Sequence, residues 1–397
     1  MKMERQQELR RKFLRMGLSG LGLFAAGSVI PYKSSIGKTP DTSFSLIETF
    51  GGLLPPDENG VMLPHGFRSR IVARSGENPV PSSKYKWHDS PDGGACFEAD
   101  DGGWVYVSNS ERPNKAGGVG ALRFNSSGEI IDAYSILKNT SLNCAGGATP
   151  WGTWLSCEET PNGLVYECDP FGNTLGKAMP ALGVFKHEAA AVDLERQVVY
   201  LTEDLPDGGF YRFRPDHGLP DLTSGKLEVA SVLEEGGRKI IRWIPVPDSQ
   251  AREKPIREQV PGYTSFRGGE GVAIYDDVVY FATKHDNRVW AYDSVSGELS
   301  VIYDAEIAKN PELTGVDNIV ISPAGDVLVA EDSGNMQIIA LTPKGSLIPI
   351  VQIVGHDRSE IAGPAFDPSF QRLYFSSQRG SIGDNKGGMT FEISLID

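Results

Sequence analysis

The stretch Asn143-Cys144-Ala145-Gly146-Gly147-Ala148-Thr149-Pro150-Trp151-Gly152-Thr153-Trp154-Leu155-Ser156-Cys157-Glu158-Glu159 combines a thiol, a glycine pair and a short apolar run closed by two adjacent carboxylates. Gly146 and Gly147 let the backbone turn tightly or approach a neighbour closely. Thr153, Trp154 and Leu155 read as a buried strand that delivers Glu158 and Glu159 to its end. A thiolate among carboxylates is metal-ligand chemistry: hard oxygens suit calcium, magnesium or ferric iron, and sulfur adds preference for a transition metal.

The same unit recurs along the chain. Working outward, Cys96 leads through Trp104-Val105-Tyr106-Val107 to Gly120-Ala121-Leu122-Arg123-Phe124, and the quoted stretch ends in Leu164-Val165-Tyr166-Glu167-Cys168-Asp169. Further copies start at His187-Glu188, Gly268-Gly269-Glu270, Gly315-Val316-Asp317-Asn318 and Ile361-Ala362-Gly363-Pro364, each followed by a β-branched or aromatic run with charged or polar residues at its end. Six copies with periods in the forties and three or four strands each predict an all-β, six-bladed β-propeller. A β-sandwich is the rival, and it requires no repeat. The spacing widens at about residues 215–262, where an insertion carries its own strand, Lys239-Ile240-Ile241-Arg242-Trp243-Ile244. Glycine and proline, 46 and 26 in number, are spread along the chain, as many short strands and turns demand.

Residues 1–30 are set apart. Arg10-Arg11-Lys12-Phe13-Leu14 precedes a glycine-containing apolar segment, which reads as a twin-arginine-type signal and places the protein in the periplasm or outside the cell. An uncleaved membrane anchor is the alternative. Residues 31–90, rich in Pro, Ser and Gly, are expected to pack on the outside of the propeller of residues 91–397 and close its ring.

Residues 1–27 carry six Lys or Arg against two Glu, so removing that net +4 takes the formal charge from −14 to −18. Such an acidic body repels nucleic acid and anionic lipid, and would repel a phosphorylated substrate unless bound cations reversed the local field. Of the four cysteines, Cys157 and Cys168 are a candidate disulfide across a hairpin, and a bridge from Cys144 to either is the rival to its role as ligand.

In a propeller the first residues of inner strands and the ends of second strands meet at the channel mouth. That rule gathers Asn143, Cys144, Glu158, Glu159, Glu188, Glu203, Asp204, Glu270, Asp286, Asn287, Asp317, Asn318, Glu331, Asp332 and Arg379. Like charges so close raise one another's pKa, and multivalent cations are the simple remedy. The rival for any one Glu or Asp is a bond to backbone amides of the neighbouring turn. His187 and His285 are equally suited to packing, while Lys284, Arg288 and Arg379 could hold a phosphate or pair with adjacent carboxylates. No Gly-x-Ser-x-Gly elbow, Walker loop or dinucleotide fingerprint is present.

Asn143-Cys144-Ala145-Gly146-Gly147, Thr149-Pro150-Trp151-Gly152-Thr153, Cys157-Glu158-Glu159, His187-Glu188, Glu203-Asp204 with Asp207-Gly208-Gly209-Phe210-Tyr211-Arg212-Phe213, Gly268-Gly269-Glu270-Gly271 and Asp286-Asn287-Arg288-Val289-Trp290 together resemble the PhoX family of bacterial alkaline phosphatases. The resemblance implies a six-bladed propeller with ferric iron (Fe3+) and calcium (Ca2+) at its mouth. It implies Cys144 as the iron thiolate, with Glu159, Glu188 and Glu270 as iron or calcium ligands and Glu203, Asp204 and Glu331 as further calcium ligands. Arg288 resembles the phosphate-binding arginine, and Asn143, beside the thiol, is the second catalytic candidate. The chain is shorter than typical family members, so insertions that shape the mouth are expected to be missing.

The expected reaction is hydrolysis of phosphate monoesters, with a metal-bound oxide or hydroxide attacking phosphorus in line and no side-chain nucleophile. The expected partners are small phosphorylated substrates and the twin-arginine export machinery, and the expected state is a monomer. The alternatives are a calcium-dependent phosphodiesterase or lactonase on the same propeller, or a non-catalytic calcium-binding propeller.

Overall fold

The structure, a computed structural model, describes residues 45–308 and 312–396, so the signal read at residues 1–30 lies outside the described residues. Among the described residues the regular structure is all strand apart from four short 3-10 turns. None of their helices is long and apolar enough to cross a membrane.

The strands form a propeller-like arrangement of five sheets. Two are four-stranded meanders, Pro91–Glu98 to Ile130–Thr140 and Asn143–Ala148 to Lys177–Ala178. A third starts at Val316–Ile321 and takes the N-terminal strand Val61–Met62 at its outer edge; a fourth starts at Ile361–Phe366 and takes Phe67–Arg74 at its edge. The remaining sheet has nine strands: the meanders His187–Asp193 to Gly225–Glu235 and Gly269–Tyr275 to Glu298–Asp304, joined by Arg238–Pro245. That joining strand contains the run Lys239 to Ile244 picked out in the sequence. It pairs with Gly225–Glu235 over eight positions and meets the other meander only at Glu298 and Leu299.

Six inner strands pack side by side around a channel: Pro91–Glu98, Asn143–Ala148, His187–Asp193, Gly269–Tyr275, Val316–Ile321 and Ile361–Phe366. All six line one cavity of about 370 Å³. Small residues dominate these strands because their backbones converge. A Cβ on Gly147 would lie 1.9 Å from the Ala190 carbonyl oxygen, and one on Gly271 would lie 2.4 Å from the Ile319 amide nitrogen. Gly147→Ala is therefore expected to destabilise the fold by about 1–3 kcal/mol, the usual range for overpacking, read as a lower denaturation midpoint.

Between the two meanders of the nine-stranded sheet, large side chains interdigitate. Phe210 stacks on Phe281 with centroids 4.3 Å apart, Phe281 stacks on Trp290, and Phe266 meets all three edge-on. Each fully buried Phe of this kind stabilises the fold by roughly 1.5–3 kcal/mol.

The candidate disulfide is corrected: all four cysteines are free thiols. Cys157 pairs in register with Val165 and Cys168 with Trp154. Because Val165 and Cys168 are an odd number of residues apart on one strand, the two thiols face opposite sides of their sheet. Cys157 packs in one hydrophobic cluster and Cys168 in another.

Candidate metal centre at the channel mouth

Each inner strand breaks register with its neighbour at the same place, two or three residues from its start. The unpaired residues are Asp92-Gly93, Cys144-Ala145, Glu188-Ala189, Glu270-Gly271, Asp317-Asn318 and Gly363-Pro364. A β-bulge re-aims the side chain it carries. Five of the six bulges thus present Asp92, Cys144, Glu188, Glu270 and Asp317 from equivalent positions. The sixth holds Gly363, at a φ of +61°, where a Cβ would lie 2.5 Å from the Asp92 carbonyl oxygen. There Glu360, just before the strand, provides the carboxylate.

Second strands supply the other half of the site. They end at Ser110, Glu158, Glu203, Thr283, Glu331 and Ser377. The residues that follow are Glu111, Glu159, Asp204, Lys284, Asp332 and Gln378. Successive strand residues point to opposite faces, so each adjacent acidic pair divides its roles. The first member braces the blade. Glu158 accepts from the amides of Ser141 and Leu164, and Glu331 from those of Thr314 and Gln337. Glu203 accepts from the Gly209 amide, the Tyr211 hydroxyl and Arg257. The second member faces the mouth.

Three groups of potential ligands result, each with its donor atoms within 4.8 Å of one another: Cys144 with Glu111 and Glu159; Asp92 with Glu111 and Glu360; and Glu188 with Glu270 and Asp317. Glu111 belongs to two of them. Lys186 bridges Glu159 at 2.7 Å and Asp204 at 2.8 Å, and Lys284 lies 2.9 Å from Glu270 and 3.4 Å from Asp332. Arg379 lies 3.4 Å from Glu360, with a third of its side chain exposed. Gln378 donates its amide to Asp92 and Glu111, while its buried Oε1 has no hydrogen-bond partner among the described residues.

The charge is unbalanced. Nine carboxylates (Asp92, Glu111, Glu159, Glu188, Asp204, Glu270, Asp317, Asp332, Glu360) face three cations (Lys186, Lys284, Arg379). Burial, and then neighbouring negative charge, hold Asp92, Glu188 and Glu360 well above the usual carboxylate range. Burial also raises Glu270, against the pull of Lys284, and pushes Asp317 up to about 6. Burial and the bond to Asp204 push Glu159 up to about 8. Burial raises the Cys144 thiol well above its ordinary value, reinforced by Asp92, Glu188 and Glu159. Most telling is Glu188, 1% exposed, with no hydrogen-bond partner for either carboxylate oxygen among the described residues. An uncompensated buried carboxylate is costly, and a cation between Glu188, Glu270 and Asp317 removes the cost. The donor set fits metal ions.

Of the residues expected at the site, Cys144, Glu159, Glu188 and Glu270 come together in these groups, and Asp204 joins through Lys186. Glu203 and Glu331 do not, because their oxygens are committed to backbone and side-chain donors of their own blades. Asn143 is fully buried behind Cys144, accepting from Thr140 and donating to Ser156. Arg288 spends its guanidinium on Asp286, Asp304 and Glu306, at 2.8, 2.7 and 3.2 Å. His187 is buried against Phe185 and bonded to the Gly183 carbonyl, a packing role. Asp92, Glu111 and Glu360 escaped the sequence reading. The first repeat read from the sequence begins only at Cys96, after Asp92, and Glu111 and Glu360 stand just outside their strands.

The sequence model of the family described as alkaline phosphatase PhoX matches residues 92–167, 160–288 and 279–380. Among curated protein sequences none matches. Among solved structures, Pseudomonas fluorescens PhoX in complex with vanadate, a transition state analogue, superposes with a TM-score of 0.70 at 16% identity, covering 87% of this chain and 97% of that one. A Bacteroides thetaiotaomicron protein of unknown function superposes with a TM-score of 0.52 at 8% identity, covering 83% and 76%. At these identities the structural matches speak for the fold alone.

Proposed function

Because this chain belongs to the alkaline phosphatase PhoX family, we propose that its channel mouth is the active site of a metal-dependent phosphomonoester hydrolase acting on small phosphorylated substrates. The observation that carries the reading is the convergence of three ligand groups at the channel mouth, one of them holding Glu188, whose buried carboxylate has no hydrogen-bond partner among the described residues.

We assign ferric iron to the group holding Cys144, Glu111 and Glu159, since a thiolate among carboxylates favours a transition metal. Calcium is assigned to the two all-carboxylate groups, whose hard oxygens suit it. Bound there, such cations supply charge compensation at the phosphoryl oxygens and activation of water. The chain's own residues do the rest. Glu188, Glu270 and Asp317 would hold positive charge at the channel mouth, while Lys186 and Lys284 pair with Asp204 and Asp332, outside the three groups, and with one ligand each, Glu159 and Glu270. Arg379, partly exposed, takes the phosphate-clamping role first expected of Arg288: among the described residues its guanidinium is within ion-pair distance of Glu360 alone, against three carboxylates for Arg288.

Arg379→Ala is expected to raise KM and lower kcat/KM for a phosphate monoester about 100-fold, with Arg288→Ala changing it less than about 5-fold, as steady-state kinetics will read. The function is tested on purified, natively exported protein by comparing hydrolysis of a monoester, a diester and a lactone, alongside elemental analysis. Monoester turnover with iron and calcium bound is the expected result. Faster diester or lactone turnover points to those activities, and calcium without turnover to a binding propeller.

Counting the nine-stranded sheet as two blades gives a six-bladed ring over residues 91–397, a count supported by the six inner strands with one bulge each. Residues 31–90 are read as the extension that closes it, residues 215–262 as an insertion that also supplies the outer blade strand Gly225–Glu235, and residues 1–30 as the twin-arginine signal, so the enzyme acts in the periplasm or outside the cell; its state is read as a monomer. Replacing Arg10 and Arg11 by Lys is the test of the export reading, with cytoplasmic retention expected.

A further inference from the structure

Away from the mouth, the face of the sheet that closes the ring carries a second charged cavity of about 290 Å³. Its floor is a ladder of cross-strand neighbours. Ser394 on the strand Met389–Leu395 stands between Arg68 on Phe67–Arg74 and Arg372 on Arg372–Ser377. One step along, Glu392 stands between Arg70 and Tyr374. Alternation of side chains places Arg68, Arg70 and Arg372 on one face of three adjacent strands. The turn of the neighbouring blade, at Ser127 and Gly128, forms the opposite wall.

The three guanidiniums differ in how far they are neutralised. Arg70 pairs with Glu392 at 2.8 Å and also donates to the Gly128 carbonyl. Arg372 lies 3.7 Å from both Glu392 and Asp367, and its guanidinium sits 5.0 Å from the centre of the Trp104 ring. Such packing holds the group in place and leaves its outer edge toward the cavity. Arg68 has no carboxylate within ion-pairing distance among the described residues; its Nε donates to the Ser394 hydroxyl at 3.3 Å, and the residue is exposed. Three arginines against Glu392 leave the lining at +2, or +1 with the buried Asp367 behind Arg372 counted, in a chain whose formal charge is −14. An excess of fixed positive charge in a concave site, within an acidic protein, is the inverse of what solubility alone would produce.

We propose that this cavity is a binding site for a phosphoryl anion, distinct from the channel mouth and needing no metal. Guanidinium forks match the oxygens of a phosphate bidentately, and the Ser394 and Ser127 hydroxyls add donors beside them. The cavity exceeds a bare tetrahedral anion, so a phosphate carrying a small organic group also fits. Glu392, held by Arg70, Arg372 and the Tyr374 hydroxyl, fixes the arginines and does not compete for the ligand.

The test is calorimetric titration of the metal-loaded protein with inorganic phosphate. Arg68→Ala is the informative variant, because it leaves no carboxylate unpaired and lies far from the mouth. The expected result is an Arg68-dependent class of phosphate binding, weakened at least tenfold in the variant, with monoester turnover unchanged. A parallel sedimentation with vesicles containing phosphatidylglycerol separates the sources of the phosphoryl group: vesicle binding that needs Arg68, without a response to free phosphate, assigns the site to a lipid headgroup. Phosphate and vesicle binding both indifferent to Arg68→Ala overturn the proposal. That outcome is independent of the phosphatase reading, which is judged on turnover and metal content.

Discussion

Glu188→Gln is expected to lower kcat/KM for a phosphate monoester by about a thousandfold, roughly 4 kcal/mol of transition-state stabilisation, and to raise the stability of the metal-free protein. The two effects have one origin. Glu188 is buried, with neither oxygen hydrogen bonded among the described residues and with Glu270 and Asp317 beside it. Without a cation the carboxylate is a cost to the fold, and the isosteric amide removes the charge while keeping the volume. With a cation the same carboxylate is a ligand, and the amide is a poorer one. A residue that merely braced the blade would behave in the opposite way, destabilising the protein when changed. Melting curves with and without chelator, alongside turnover, separate these cases; a variant that is less stable without metal and fully active would remove Glu188 from the site. Cys144→Ser provides the companion measurement. Loss of iron and most of the activity is expected, and unchanged iron content would remove the thiolate from the centre.

Metal-stripped protein is expected to lose stability as pH rises from about 5 to about 9, whereas the metal-loaded protein holds its stability over that window. The sign follows from the mouth carboxylates. Glu159 is pushed up to about 8 and Asp317 to about 6 in the fold, with burial the first cause for both. A carboxyl raised in the native state binds its proton more tightly there than in the unfolded chain. It therefore contributes stability below its unfolded value, near 4.5 for Glu159 and 3.8 for Asp317, and that contribution disappears as pH climbs through the folded value. Asp204, lowered against its burial by its bond with Glu159 and by the charges of Lys284 and Lys186, adds a constant contribution across this window, because a lowered carboxyl loses its stabilisation only in more acid solution. At about 1.4 kcal/mol per unit, Glu159 and Asp317 together make the loss on the order of 5 kcal/mol. Cations substitute for the protons, so thermal denaturation of the two forms should diverge steadily above pH 6. Parallel curves would mean that the carboxylates are not the metal ligands.

The acidic pairs show how far the sequence could be read. Glu158-Glu159, Glu203-Asp204 and Glu331-Asp332 were recognisable as strand ends, and the period-2 alternation of a strand already implies that only one member of each pair faces the mouth. Which one does depends on where the strand stops, and that is set by pairing with its neighbours. Glu203 and Glu331, which the family resemblance implied as ligands, are instead bonded to donors of their own blades. Arg288 was placed at the mouth by its position after Asp286 and Asn287, yet its guanidinium lies along its own blade against Asp304 and Glu306. Nothing local in the sequence marks that choice, because Asp304 and Glu306 are brought to it by the next strand.

By itself, the sequence determined the strand-rich repeat, the small residues that let inner strands converge, the thiol at Cys144 and an acid at the start of successive repeats. These are local properties, carried by side-chain volume, β propensity and spacing. Only the tertiary structure decided which atoms share a site. The bulge shared by the inner strands turns Asp92, Cys144, Glu188, Glu270 and Asp317 to the channel, and closure of the ring brings Glu360 to Asp92 and Glu111. The arginine cavity likewise exists because Arg68, from the N-terminal strand, pairs with Ser394 near the C-terminus. The reason is physical: ligand geometry is a matter of a few ångströms between residues hundreds of positions apart, and backbone pairing across sheets, which no single segment encodes, fixes those distances.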